Sequence, residues 1–178
     1  MTSPHALRVA DLPQNAPTPF ELTPDAPARA TLAQDLDILG IRKLRFQGEI
    51  RAHGTRDWIL TGMLGATVVQ PCVATLDPVT TRIDTAVTRL FIDGLADPDE
   101  EEIEMPEDEN ADPLGTHIDP GDIMAEALAL ALPLYPRSAG APQDTQSFAA
   151  PGVTPMTDEE AKPFAGLAGL RDSLKNRD

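Results

Sequence analysis

Cysteine, aromatic side chains, long apolar runs and basic charge are all in short supply in this 178-residue sequence. A single cysteine, Cys72, leaves no internal disulfide and no cysteine-based metal cluster. The three histidines, His5, His53 and His117, stand far apart without ligand spacing, so no zinc site is expected from them. Aromatics are 4% of residues against 41% hydrophobic overall, so any core must be concentrated in a subset of the chain. The longest apolar stretch, Ile123 to Leu134, is interrupted by Glu126 and Pro133. A bilayer crossing needs about 20 apolar residues, so no membrane segment is expected. The first thirty residues carry no apolar run flanked by basic residues, as a secretory signal would, and the expected compartment is the cytoplasm. No glycine-rich phosphate loop occurs, so nucleotide binding is unsupported, and no cofactor or small-molecule substrate is expected.

Basic residues number 14 against 29 acidic ones, a net charge of −15 with a pI near 4.4. The imbalance is local. Residues 1–96 hold nine Lys/Arg against ten Asp/Glu; residues 97–178 hold five against nineteen. A nucleic-acid binder normally shows a basic patch or a high pI, so any RNA contact must be confined to the first half. Eighteen prolines, about twice the usual ~5%, mark much of the chain as loop or tail.

The opening His5–Val9 reads as a short strand, and Phe20–Leu22 as another. Thr23 or Asp25 can cap a helix whose first turn holds Pro27. Leu32, Leu36 and Leu39 share one face of it, and Gly40 is expected to end it. The middle third alternates with a strict period of two. Leu44, Phe46, Gly48, Ile50 and Ala52 fall on one face, with Lys43, Arg45, Gln47, Glu49 and Arg51 on the other. That is the pattern of a half-buried strand. Trp58 to Val68 repeats it, and the short glycine-containing link 53–56 predicts an antiparallel hairpin. A third run, Thr80 to Ile92, changes phase near Leu90–Phe91, which predicts a bulge there.

Ten of the sixteen residues 97–112 are acidic, so 97–114 is expected as a solvated loop. Asp119 then caps a helix from Pro120 to the stop at Pro133, with a stripe of Ile123, Met124, Ala127, Leu128, Leu130 and Ala131 packing on the sheet. The fold class that follows is α+β. An antiparallel β meander, open or barrel-like, is packed by two helices and carries an acidic loop and a flexible C-terminal tail. Residues 1–137 form one domain, 138–162 a linker rich in Ala, Pro and Gly, and 163–178 a short amphipathic helix.

For catalysis, Cys72 has His53 and His117 available in principle, but neither sits in a recognisable local motif, and most lone cysteines are core or surface bystanders. The acidic run lacks the spaced ligands, glycine and terminal glutamate of a calcium loop. Its plain reading is a solvated loop; the sharper one is a polyanionic lure for a basic partner. Lys43, Arg45 and Arg51, with Arg42, Arg56 and Arg82 near, read most simply as the wet side of a sheet. Their functional reading is a modest cationic platform for RNA phosphates. Phe164, Leu167 and Leu170, continued by Leu174, are spaced as the face of a docking helix.

Three phrases follow one another along the chain: a cysteine-bearing turn after the β region, PCVATLDP at 71–78; an acidic segment leading into IDPGDIMAEALALALPLYP at 118–136; and PFAGLAGL at 163–170. In this order and spacing they resemble the YceD family, named for large ribosomal RNA subunit accumulation, and the resemblance covers most of the chain. The Tyr135-Pro136-Arg137 variant is similar to the alphaproteobacterial branch. Many relatives resemble Cys-x-x-Cys at the turn; here the second position is Thr75, so no metal or redox role carries over. The resemblance implies a part in large-subunit ribosome biogenesis and no enzymatic activity. The partner expected is large-subunit ribosomal RNA or a basic ribosomal protein, bound without a membrane. Two other classes stand beside this reading: a hydrolase or redox enzyme using Cys72, and a non-ribosomal acidic adaptor docking through its C-terminal helix.

Overall fold

The computed structural model describes residues 5–95 and 111–141. Strand β1 (Leu7–Arg8) leads through a 3-10 turn (Val9–Asp11) to β2 (Thr18–Leu22) and helix α1 (Ala26–Asp35). Three long strands follow, β3 (Gly40–His53), β4 (Asp57–Pro71) and β5 (Pro78–Ile92), and then β6 (Ala111–Pro113), β7 (His117–Ile118) and α2 (Pro120–Ala131). One sheet has the order β2-β3-β4-β5-β6, antiparallel except for the β5–β6 pair; β1 and β7 form a two-stranded ribbon. The predicted α+β class is the one observed, and the period-two pattern of β3 and β4 places their alternate residues as expected. Phe46, Ile50, Leu60 and Leu64 are fully buried on the inner face, each stabilising the fold by about 1.5–3 kcal/mol. Ala33 of α1 and Ile123, Met124, Ala127 and Leu128 of α2 join the same core. At the middle of the hairpin Gly48 stands opposite Gly62. A Cβ on Gly48 would lie 2.0 Å from the Thr61 carbonyl oxygen and 2.6 Å from the Gly62 Cα. Only glycine permits this approach, and the rings of Phe20 and Phe46 pack beside it with centroids 5.0 Å apart.

The structure corrects several expectations. The sheet is open and not barrel-like: its order ends at β2 and β6, strands of five and three residues, and helices rather than the sheet's own curl cover the apolar face. Helix α1 starts at the Asp25 cap, whose Oδ1 accepts from the Ala28 amide at 2.9 Å, but ends at Asp35 and not near Leu39. Asp37 turns left-handed (φ 51°), and the amides of Asp37 and Ile38 donate to the carbonyls of Gln34 and Ala33. This is a Schellman closure with aspartate where glycine is usual. Gly40 opens β3 instead.

The bulge expected at Leu90–Phe91 is absent. Strand β5 keeps register with β4 from Pro78 to Phe91, and the irregularity lies between Ile41 and Lys43 in β3. The apparent phase change comes from Arg89, a cation at an inward position. Its guanidinium reaches Glu126 of α2 at 2.5 Å, and its Nε lies 3.5 Å from Asp112. Asp112 belongs to β6, so the end of the predicted acidic loop is a strand; residues 97–110 of that loop lie outside the described residues. Leu130, placed on the buried stripe, is 79% exposed. Ser138 and the buried Ala141 pack on the domain rather than opening a linker; residues 142–178, with the remaining linker and the C-terminal helix, lie outside the described residues.

Candidate functional site

Because side chains alternate across a strand, the outer face of the sheet is set by the same pattern that builds the core. Lys43, Arg45 and Arg51 all project onto it and are exposed. They do not form one cluster. Lys43, Thr67 and Arg82 lie in one cross-strand row, and Arg45, Gly65 and Asp84 lie in the next-but-one row on the same face. Arg51 stands six residues along β3 from Arg45, about 20 Å away at ~3.3 Å per residue. Arg82, which the sequence placed only in the neighbourhood, is the third member of the group. A Cβ on Gly65 would lie 2.8 Å from an Arg82 guanidinium nitrogen, so the missing side chain lets Arg82 lie across β4.

The resulting groove, about 350 Å³, is lined by Lys43, Arg45, Gln47, Met63, Arg82 and Asp84. Through Gln47 and Met63 it continues into a shallower trough over the Gly48–Gly62 approach, bounded by Pro19, Glu21, Glu49 and Thr61. One end of this surface is cationic and the other carries carboxylates. Most of its charges are paired. Arg45 meets Glu21 at 3.0 Å, Arg51 meets Glu49 at 2.6 Å, and Arg82 holds Asp84 through two guanidinium nitrogens. The hydrogen bond from Arg82 depresses the Asp84 pKa, and hydrogen bonds to Asp84 and Glu49 raise those of Arg82 and Arg51. Such exposed pairs are screened by solvent and hold their partners weakly. Lys43 makes no ion pair among the described residues.

Cys72 occupies the turn between β4 and β5, at the opposite end of β4 from His53. The thiol is fully enclosed yet stands apart from the main core cluster. The Ser138 amide donates to Sγ at 3.4 Å, the Val73 amide donates to the Pro136 carbonyl, and Gln70 Nε2 donates to the Pro133 carbonyl. The segment after α2 is thereby fastened to the turn. Hydrogen bonds from the Thr75 hydroxyl and from the Ser138, Ala74 and Thr75 amides pull the thiol down to about 6, against the opposing effect of burial. The Thr75 hydroxyl has one proton, and its 2.7 Å contact to Asp77 competes for it. The amides are therefore the steadier donors. None of these partners is a base, and no group of three His, Cys, Asp or Glu suited to a metal occurs among the described residues.

A family model described as large ribosomal RNA subunit accumulation protein YceD matches residues 60–171, from early β4 through α2 and beyond. The chain belongs to the YceD family. The match is to the family as a whole rather than to one branch, and its description names an effect on a ribosomal subunit, not a reaction. Membership supports a role in ribosome biogenesis in association with the large subunit or its RNA. No curated protein and no solved structure matches the chain. The matched span of this YceD-family chain contains Arg82, Cys72 and the 163–170 phrase; Lys43, Arg45 and Arg51 lie before it. No helix among the described residues is long and apolar enough to cross a membrane. Phe164, Leu167 and Leu170 lie outside the described residues.

Proposed function

We propose that this YceD-family protein is a cytoplasmic, non-enzymatic binding module of large-subunit assembly that grips the phosphate backbone of large-subunit ribosomal RNA at Lys43, Arg45 and Arg82. The observation that carries this reading is the glycine-floored groove, where three cations face one carboxylate and Lys43 is left unpaired. Phosphate oxygens exchange readily with Glu21 as partners of Arg45, because an exposed pair is held weakly. Each phosphate contact releases counterions, giving a salt slope of about −0.7 to −0.9 per contact. Three contacts give roughly −2 to −3, a shallow dependence suited to reversible handling of RNA during assembly.

The test is binding of the full-length protein to a large-subunit ribosomal RNA fragment across a salt series. The parent is expected to show that slope, and the Lys43→Ala/Arg45→Ala variant to lose about two contacts' worth of it. Unchanged binding by the variant would leave the face a solvated surface only. A second reading, docking of a basic ribosomal protein, is favoured by the net charge of −15 and by the ten acidic residues of 97–112. It predicts that neutralising the acidic run weakens capture of basic ribosomal proteins while RNA binding rises.

A further inference from the structure

The two long edges of the sheet are treated differently. Beyond the end of β2, the free edge of β3 is sealed by α1: Arg29 Nε donates to the Ile41 carbonyl at 3.2 Å and its guanidinium also bonds the Pro24 carbonyl. Among the described residues the edge of β5 is bare. Strand β6 covers only Leu90–Ile92, and among the described residues no strand pairs with β5 on that side from Pro78 to Arg89. Exposed edges are usually blunted by shortness, an interior proline, a bulge or an inward charge. From Val79 to Thr88 this one has no proline, bulge or inward charge, and its outward charges, Arg82 and Asp84, are one of each sign. The inward residues are Val79, Thr81, Ile83, Thr85 and Val87, and the ladder with β4 is unbroken. Beside the edge lies a groove of about 240 Å³, walled by Thr85, Val87 and Arg89 of β5 and by Ala127, Leu130 and Ala131 of α2. Leu130 stands 79% exposed over it.

We infer that β5 pairs antiparallel with β5 of a second copy about a two-fold axis at Ile83, joining two five-stranded sheets into one. The choice of occupant and register comes from the sequence of the edge itself. Inner residues must face inner residues across the join, so only registers that shift by whole pleats are open. Centring the axis on Arg82 or on Asp84 would set like charges against each other. Centring it on Ile83 sets Arg82 opposite the partner's Asp84, and Asp84 opposite the partner's Arg82. The same register sets Thr81 against Thr85 and Val79 against Val87, and uses the whole bare stretch from Pro78 to Thr88. The partner's Val79 then enters the groove beside Val87 and covers Leu130, twice by symmetry. Opposite charges and β-branched pairs directly across a ladder stabilise it, and like charges destabilise it. An isologous join of this kind closes on itself and uses up the β5 edge of both copies.

Molar mass in solution, measured on the full-length chain over a concentration series, tests the pairing. The parent is expected to approach twice its 19.1 kDa. Arg82→Asp and Asp84→Arg should each weaken association about tenfold or more, since each places like charges opposite each other at two symmetric positions. The double exchange Arg82→Asp/Asp84→Arg should restore it, and an equal mixture of the two single variants should form a mixed dimer. A parent that stays monomeric at the highest attainable concentration overturns the proposal, as does a dimer indifferent to both single reversals. Should a single variant fail to fold, chains carrying Thr80→Cys and Ala86→Cys, mixed and oxidised, still read the register. A disulfide between the two is expected, and its absence overturns the pairing.

Discussion

On the inner face of the sheet Leu44, Phe46, Ile50, Leu60 and Leu64 are all buried, while on the outer face the same strands present Lys43, Arg45, Gln47, Arg51 and Met63 to solvent. The inner face works by exclusion: volume is filled and Arg89, the cation that enters among the described residues, is held by two carboxylates. The outer face works by compensation: most of its charges, Lys43 excepted, are neutralised in exposed pairs of little energetic weight. A change on the inner face should therefore act on stability, and a change on the outer face on binding. Substitutions chosen along the same strands can break that division.

The largest effect is expected where the two strands touch. Gly48→Val puts a side chain 2.0 Å from the Thr61 carbonyl oxygen and 2.6 Å from the Gly62 Cα, both backbone atoms that cannot swing away. A loss of about 3 kcal/mol or more is expected in urea unfolding. Parent-like stability would mean that the hairpin separates there without cost, and the inner face would be less tightly specified than argued.

Next comes the inward cation. Arg89→Ala leaves Asp112 and Glu126 facing each other without their shared partner, and should cost about 2 kcal/mol at neutral pH. Desolvation already raises the Asp112 pKa, with Arg89 opposing that rise and Glu126 adding to it. A carboxyl whose pKa is higher in the folded than in the unfolded state disfavours folding once ionised, so its contribution worsens as pH climbs through its titration. Removing Arg89 enlarges that effect. The deficit of the variant against the parent should therefore shrink as pH is lowered toward 5, as measured by urea unfolding at several pH values. A deficit independent of pH would mean that Arg89 acts by packing alone.

Period-two alternation made β3, β4 and the first part of β5 legible in the sequence, because burial on one face writes itself into every second residue. The same rule misread Leu90–Phe91, since a buried cation looks like a break in phase when its carboxylates, Asp112 and Glu126, lie 23 and 37 residues away. The end of helix α1 has no legible local signal, because aspartate at position 37 does the work normally assigned to glycine. On the candidate face the sequence supplied Lys43 and Arg45 but joined them to Arg51. Strand register, which decides that Arg82 is the true neighbour, depends on pairing across β4 and has no local signature. Gly65 opposite both Arg45 and Asp84 is the one signal available in hindsight.

A smaller effect is expected at the Cys72 clasp, which belongs to neither face. The folded-state thiol is drawn down to about 6 from its ordinary value of 9.0. An acid with a depressed pKa adds stability that is fully present above its unfolded value and disappears as pH falls through the folded value. The difference in unfolding stability between the parent and Cys72→Ser should therefore widen from pH 6 to pH 9. The ultraviolet absorbance of the thiolate should titrate near the lower limit. A thiol titrating at its ordinary value would mean that enclosure outweighs the amide donors.

The smallest effect is expected at Arg51, and it sharpens the comparison most. Arg51 shares its strand, its face and its exposure with Arg45, so a reading based only on charge along β3 makes them equivalent. The structure separates them: Arg45 borders the groove with Lys43 and Arg82, whereas Arg51 lies beyond the glycine approach, bound to Glu49 at 2.6 Å. Arg51→Ala should leave stability nearly unchanged and the salt slope of RNA binding where it was. Lys43→Ala/Arg45→Ala should also leave stability nearly unchanged but flatten the slope by roughly 1.4 to 1.8. If Arg51→Ala flattens the slope as much as either groove substitution does, phosphates run along the whole of β3, and the groove is not the site. If both variants bind as the parent does, the outer face is only a solvated surface, and binding must be sought in the acidic half of the chain.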